Sequence, residues 1–255
     1  NILQNITKIL YDMHIKGIVH NDFKTKKIIY NTKTKKVKLI DFGLMIQYDH
    51  STIHSRFLQH SYHYLTPYSV LLFHDMIAFQ WLTFYKTHYN LPKQQFIETC
   101  TYHILDAYRS FQTLQTESSR EIHGQRHIKE LCAILFPNEN WLYVISKELA
   151  YCYYLFKNEY GLFDILTFYN TVFIHLIDIW GLCSVLINLL DRLIFINYNH
   201  SFIESIKQIL KKYMFGMKHY PFAMKENFDK DIGKLISLIK EPKKKKSKKK
   251  KHGSK

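Results

Sequence analysis

Two carboxylates, Asp22 and Asp41, lie in short runs of the 255-residue chain whose composition suits phosphate chemistry. The first run is His20-Asn21-Asp22-Phe23-Lys24 and the second is Asp41-Phe42-Gly43. Phosphoryl transfer needs one carboxylate to orient the attacking hydroxyl and accept its proton, and another to hold the magnesium that bridges the phosphates. Between the runs, two apolar stretches, Ile28 to Tyr30 and Val37 to Ile40, flank the polar residues 31–36 and predict a β-hairpin that fixes the distance between the carboxylates. Gly43 is expected to supply backbone freedom just after the second carboxylate, where the chain turns into a mobile loop.

The flanking sequence has to hold these runs in place. Over residues 1–16, Ile2, Leu3, Ile6, Ile9, Leu10 and Met13 recur at helical spacing, and Gly17 stands where a left-handed cap would end the helix. Residues 47–67 are polar and irregular and read as a long loop ending near Pro67. Residues 70–165 read as several aromatic-rich helices, broken near Leu91-Pro92, Ser118-Ser119 and Pro137-Asn138. Residues 166–196 form one strongly apolar helix, and Phe202, Ile206, Ile209, Leu210 and Tyr213 mark a further amphipathic one. The expected class is therefore mainly α with a small β-hairpin.

The loop-hairpin-loop stretch resembles the catalytic core of eukaryotic-type protein kinases, whose loop reads His-Arg-Asp-Leu-Lys-Pro-Glu-Asn before a hairpin and Asp-Phe-Gly. Gly17, Ile18, Val19, His20, Asp22, Lys24, Ile28, Val37, Leu39, Ile40, Asp41, Phe42 and Gly43 all fall in register with it. Ser61, Tyr64 and Pro67 match the segment that follows the metal loop in that family, and Asp178-Ile179-Trp180 resembles the Asp-x-Trp of its central buried helix. The resemblance implies a kinase C-terminal lobe without the ATP-clamping lobe, using ATP and Mg2+ on a protein substrate. It gives Asp22 the role of orienting the hydroxyl, Lys24 that of steadying the transferring phosphoryl group and Asp41 that of metal ligand. Ser61 becomes the hydroxyl contact of the substrate loop, which together with Lys24 suits the serine/threonine subclass. His20, Phe42 and Gly43 become structural residues, and Asp178 tethers the loop backbone. The implied divisions are 1–73 for the two loops and the segment after them, 74–165 for a helical insertion, 166–240 for the central and C-terminal helices, and 241–255 for a disordered tail.

Several positions depart from that pattern. The Asn expected five residues after Asp22, the family's second metal ligand, is Lys27, and an ammonium cannot coordinate magnesium although it can oppose phosphate charge. The family's loop Arg is Asn21, and the Glu expected after Pro67 is Tyr68. The chain starts at Asn1, already inside a periodic segment, and reads as cut at the front; none of its eight glycines forms a Gly-x-Gly-x-x-Gly phosphate loop. Two readings follow: a serine/threonine kinase, or a pseudokinase or kinase remnant that acts as a binding module.

Composition bounds the rest. Hydrophobic residues make up 47% and aromatics 16%, which predicts a packed body rather than disorder. The skew to Lys, Ile, Asn and Tyr is of the kind found in AT-rich genomes, large DNA viruses among them. Of the net charge of +15, the nine lysines of residues 241–255, set against Glu241, account for eight. That tail is a candidate nuclear-localisation signal or a contact for nucleic acid or an acidic partner. The four cysteines have no metal or redox spacing and read as buried thiols of an intracellular protein, cytoplasmic or nuclear. His123 and His127 lie four apart without a third ligand beside them. A membrane span over residues 165–190 is disfavoured, because Asp178 near a bilayer centre would cost roughly 3 kcal/mol.

Overall fold

Helix α1 (Ile2–Ile15) turns Ile6, Thr7 and Leu10 inward and stops at Gly17, whose φ of 70° is the left-handed cap that its position predicts. The structure, a computed structural model, describes residues 2–58, 67–73, 83–114, 119–216 and 224–239. After the cap, β1 (Ile18–Val19) pairs antiparallel with β4 (Ile46–Gln47), Val19 opposite Ile46. Between them lies the predicted hairpin, β2 (Ile28–Tyr30) against β3 (Val37–Leu39), with Ile28 opposite Leu39. Asn31 closes its turn, since its side-chain oxygen accepts from the backbone N–H groups of Lys33 and Thr34, both at 2.9 Å. The β1–β4 pair thus gathers both ends of the loop-hairpin-loop stretch against one another.

The long loop expected over 47–67 is more ordered at its start than its polarity suggests. Gln47 already belongs to β4, and Asp49 then accepts from the backbone of Ser51 at 2.8 Å and of Thr52 at 3.1 Å. A short α2 (Ser55–Leu58) follows, anchored by Phe57, whose ring meets Phe173 edge-on at 5.0 Å. One buried aromatic is enough to pin a polar segment, and that signal is hard to see among Ser, Thr and His. Ser61 and Tyr64 lie outside the described residues.

A 3-10 turn (Tyr68–Phe73) leads towards the helices, with residues 83–88 also helical. Helices α3 (Lys93–Leu114), α4 (Ser119–Leu135) and α5 (Trp141–Leu155) start or stop at the predicted breaks, and Asn140 caps α5 by accepting from Leu142 N at 2.9 Å. The long apolar helix is α6 (Ile165–Phe195), which carries a π-helical turn at Tyr169–Phe173. Helix α7 (His200–Phe215) packs along α6, and α8 (Met224–Ser237) packs on α1 and α7. The protein is mainly α with two small two-stranded sheets.

Among the described residues, α6 alone is long and apolar enough to cross a membrane, and 72% of its apolar window is buried inside the protein. Its hydrophobicity serves a core: Trp180 is fully buried, with Tyr68 at 5.5 Å, and Tyr68 stacks on Phe215 at 5.8 Å. Where the kinase pattern has an acidic residue, Tyr68 therefore makes aromatic packing instead. The core runs without interruption from Ile6 through Phe96, Cys100, Val144 and Leu149 to Ile206 and Leu235, so residues 83–155 share it with both ends of the chain. All four cysteines are free and buried; burial pushes the Cys100, Cys152 and Cys183 thiols well up and Cys132 up to about 12, leaving no reactive thiolate at neutral pH.

Candidate functional site

Asp178 holds the site from beneath. It is 1% exposed, on α6, and its Oδ2 accepts the backbone N–H of His20 at 3.0 Å while its Oδ1 accepts that of Asn21 at 3.1 Å. Those two amides belong to a loop with no ladder partner of its own, and a buried carboxylate is the acceptor that both satisfies and orients them. Its Oδ2 also lies 3.0 Å from His14 Nε2, at the last turn of α1. Three residues on, about one helical turn, Gly181 lies on the same face of α6 as Asp178, and a Cβ there would sit 2.7 Å from Phe23 Cβ and 2.8 Å from its carbonyl oxygen. The glycine lets the loop rest directly on the helix.

His20 ties the two loops together. Its side chain is buried, and Nε2 donates to the Ile40 carbonyl at 3.3 Å, which fixes Nε2 as the protonated nitrogen. The ring also stands 5.2 Å from Phe42 and meets Phe23 edge-on at 6.1 Å. Phe42 covers His20 while remaining 45% exposed. Asn21 and Asp41 both take the left-handed conformation, at φ of 58° and 63°, which short polar side chains tolerate better than others. Here the expectation for Gly43 is corrected. The positive φ of the second loop falls on Asp41, and a Cβ at Gly43 would meet Asp41 Oδ1 at an ordinary 3.6 Å. The turn reverses at its first residue, so the freedom is needed there rather than two residues later.

The two carboxylates come together over two ammonium groups. Lys24 Nζ donates to both oxygens of Asp22, at 2.8 and 3.1 Å. Lys27 Nζ lies 3.3 Å from Asp22 Oδ2 and also contacts Asp41 Oδ2, so one ammonium bridges both carboxylates. The Lys27 side chain is 12% exposed and that of Asp22 9%, whereas Asp41 is 55% exposed. A 3-10 turn (Thr25–Lys27) sets this up, with Lys27 N donating to Lys24 O at 2.8 Å and Ile40 N donating to Lys27 O at 3.0 Å. The hairpin thereby locks the lysine backbone to the strand that delivers Asp41.

Magnesium keeps several waters and binds through one or two carboxylates plus substrate phosphates. The exposed carboxylate of Asp41 fits one such ion. A second does not fit, because its expected ligand is Lys27, whose nitrogen has no lone pair to give once protonated. Among the described residues no group of three or more His, Cys, Asp or Glu is placed to hold a metal, and the side chains of His123 and His127 lie outside those described.

His14, Gly181 and the double contact of Lys27 were not marked by sequence. His14 sits at the end of an ordinary amphipathic helix, and nothing local announces its partner 164 residues away. Gly181 could have been found, since it is a glycine about one helical turn beyond the Asp expected to tether the loop backbone. No protein-family model, curated protein or solved structure matches the chain.

Beside this tether, His175 carries a pH dependence. Burial, then the neighbouring His14, pushes its pKa down to about 4. An unfolded histidine titrates near 6.5, so between about 6.5 and 4 the unfolded chain binds a proton that the folded chain refuses. Stability is then complete above the upper value and is lost as pH falls, by about 1 kcal/mol per pH unit in that window. Urea unfolding between pH 7 and 5 measures the slope, and His175→Asn should flatten it; an unchanged slope would show that other groups carry it.

Proposed function

We propose that the chain is the C-terminal lobe of a serine/threonine protein-kinase-type phosphotransferase, passing the γ-phosphoryl group of ATP to a protein hydroxyl. The observation that carries this reading is the meeting of Asp22 and Asp41 at one cation, with the Asp22 loop hung on Asp178. Asp22 orients the incoming hydroxyl and takes its proton. Lys24, held on both Asp22 oxygens, is within reach of the phosphoryl group that the hydroxyl attacks, and its charge offsets the negative charge on the equatorial oxygens. Asp41 would hold one magnesium ion, which supplies neutralisation of the phosphates. His20 and Phe42 keep the two loops in register. Buried free thiols suit an intracellular setting.

A second reading is favoured by a specific observation: Lys27 already balances Asp41, as expected in a pseudokinase or kinase remnant that binds a partner without transferring phosphate. Transfer from γ-labelled ATP to a protein acceptor, by the full-length protein, separates the two. The wild type should label the acceptor, and Asp22→Asn should lower the rate by about a hundredfold or more. Equal labelling by both would sink the assignment of Asp22, and absence of magnesium-dependent nucleotide binding would favour the second reading.

A further inference from the structure

A lone ammonium placed between two carboxylates can be an accident of side-chain reach or a built feature. At Lys27 the backbone argues for the second. Its N–H and carbonyl are both committed, to Lys24 O at 2.8 Å and to Ile40 N at 3.0 Å, so the stem starts from a fixed point between the loops. Its side chain is 12% exposed, which holds the charge out of the screening of bulk water. It contacts Asp22 Oδ2 and Asp41 Oδ2 together, which is the bridging position a divalent ion would take between two carboxylates.

We propose that Lys27 is a tethered cation that closes the Asp22–Asp41 pair to a bridging divalent ion and so sets the metal requirement of this site. With Lys24 and Lys27 in place, two carboxylates face two ammonium groups and the cluster is neutral. A bridging ion has to displace Lys27 first, and the displaced ammonium cannot move far because its backbone is fixed. With Lys27 gone, the pair carries one excess negative charge, Asp41 Oδ2 loses this ammonium and Asp22 Oδ2 is left with Lys24 alone. A charge supplied by the chain also has no concentration dependence, so the site keeps its cation when free metal is scarce. Its meaning for phosphate transfer rests on the reading above: a nucleotide here would bind with one metal ion instead of two, the second cation being Lys27.

The test needs neither nucleotide nor transfer. Manganese ion alone is titrated into the protein at low ionic strength, and bound metal is read by electron paramagnetic resonance. Lys27→Asn and Lys27→Met should each bind Mn2+ about tenfold or more tightly than the wild type. Lys27→Arg should stay as weak as the wild type, and Lys27→Asn combined with Asp41→Asn should lose the gain. Lys27→Met keeps a similar stem length, so a fold defect confined to the Asn variant leaves the comparison intact. Equal Mn2+ affinity in wild type, Lys27→Asn and Lys27→Met would overturn the proposal, whether that affinity is high or low. Loss of transfer in Asp22→Asn bears on the phosphotransferase reading and leaves this result untouched.

Discussion

Asp178→Ala is expected to destabilise the protein by about 3–5 kcal/mol and to release the loop that carries Asp22, since each buried donor left unpaired costs about 1–3 kcal/mol. The donors at stake are the backbone N–H groups of His20 and Asn21, at 3.0 and 3.1 Å, with His14 Nε2 as a third neighbour. Asp178 lies among apolar α6 residues and is 1% exposed, so water cannot readily stand in for the lost oxygens. Asp178→Asn separates charge from acceptor. One carbonyl oxygen remains, and the amide nitrogen must face a donor, so about half of the loss should persist. Urea unfolding with matched slopes measures both variants. An alanine variant within about 1 kcal/mol of wild type would mean that the loop finds other acceptors and that Asp178 is not its anchor.

The opposite error, adding atoms, should do comparable harm at Gly181. A Cβ there would lie 2.7 Å from Phe23 Cβ and 2.8 Å from Phe23 O, and neither atom is the movable end of a side chain. Overpacking of this kind costs typically 1–3 kcal/mol, and Gly181→Val, with two further methyl groups, is expected to exceed about 3 kcal/mol. Phe23 is 2% exposed and sits between Asp22 and Lys24, so relief can come only by lifting both chemical groups off α6. Two measurements follow the two consequences: thermal unfolding reports the strain, and nucleotide binding or transfer reports the displaced loop. A Val variant that keeps wild-type stability would place Phe23 further from α6 than described.

How far sequence reaches depends on how local each cause is. Helix α1 and its glycine stop, the hairpin, the breaks before α4 and α5 and the helix α7 all follow from periodicity, caps and turn residues within a few positions of each other. The nearness of Asp22 and Asp41 follows as well, because a short hairpin leaves little freedom between them. What sequence could not supply was anything decided by a distant partner. The β1–β4 pair rests on two residues a side, too few to announce a strand. The placement of Phe57 depends on Phe173, and that of Tyr68 on Trp180 and Phe215. Asp178 is the instructive middle case. The single charge of the apolar stretch 165–190 signals that something must satisfy it, but only the resemblance to a kinase core pointed to the loop, and neither pointed to His14.

The left-handed turns at Asn21 and Asp41 also bear on how such a site could change over time. At φ of 58° and 63°, most side chains would add backbone strain, and glycine, asparagine and aspartate are the residues that add least. Random replacement at these two positions is therefore filtered for shape before it is filtered for chemistry. A lineage that stopped needing the carboxylate of Asp41 would still be steered towards a narrow set of successors there, and the loops would hold their course long after the selection that first drew them had lapsed.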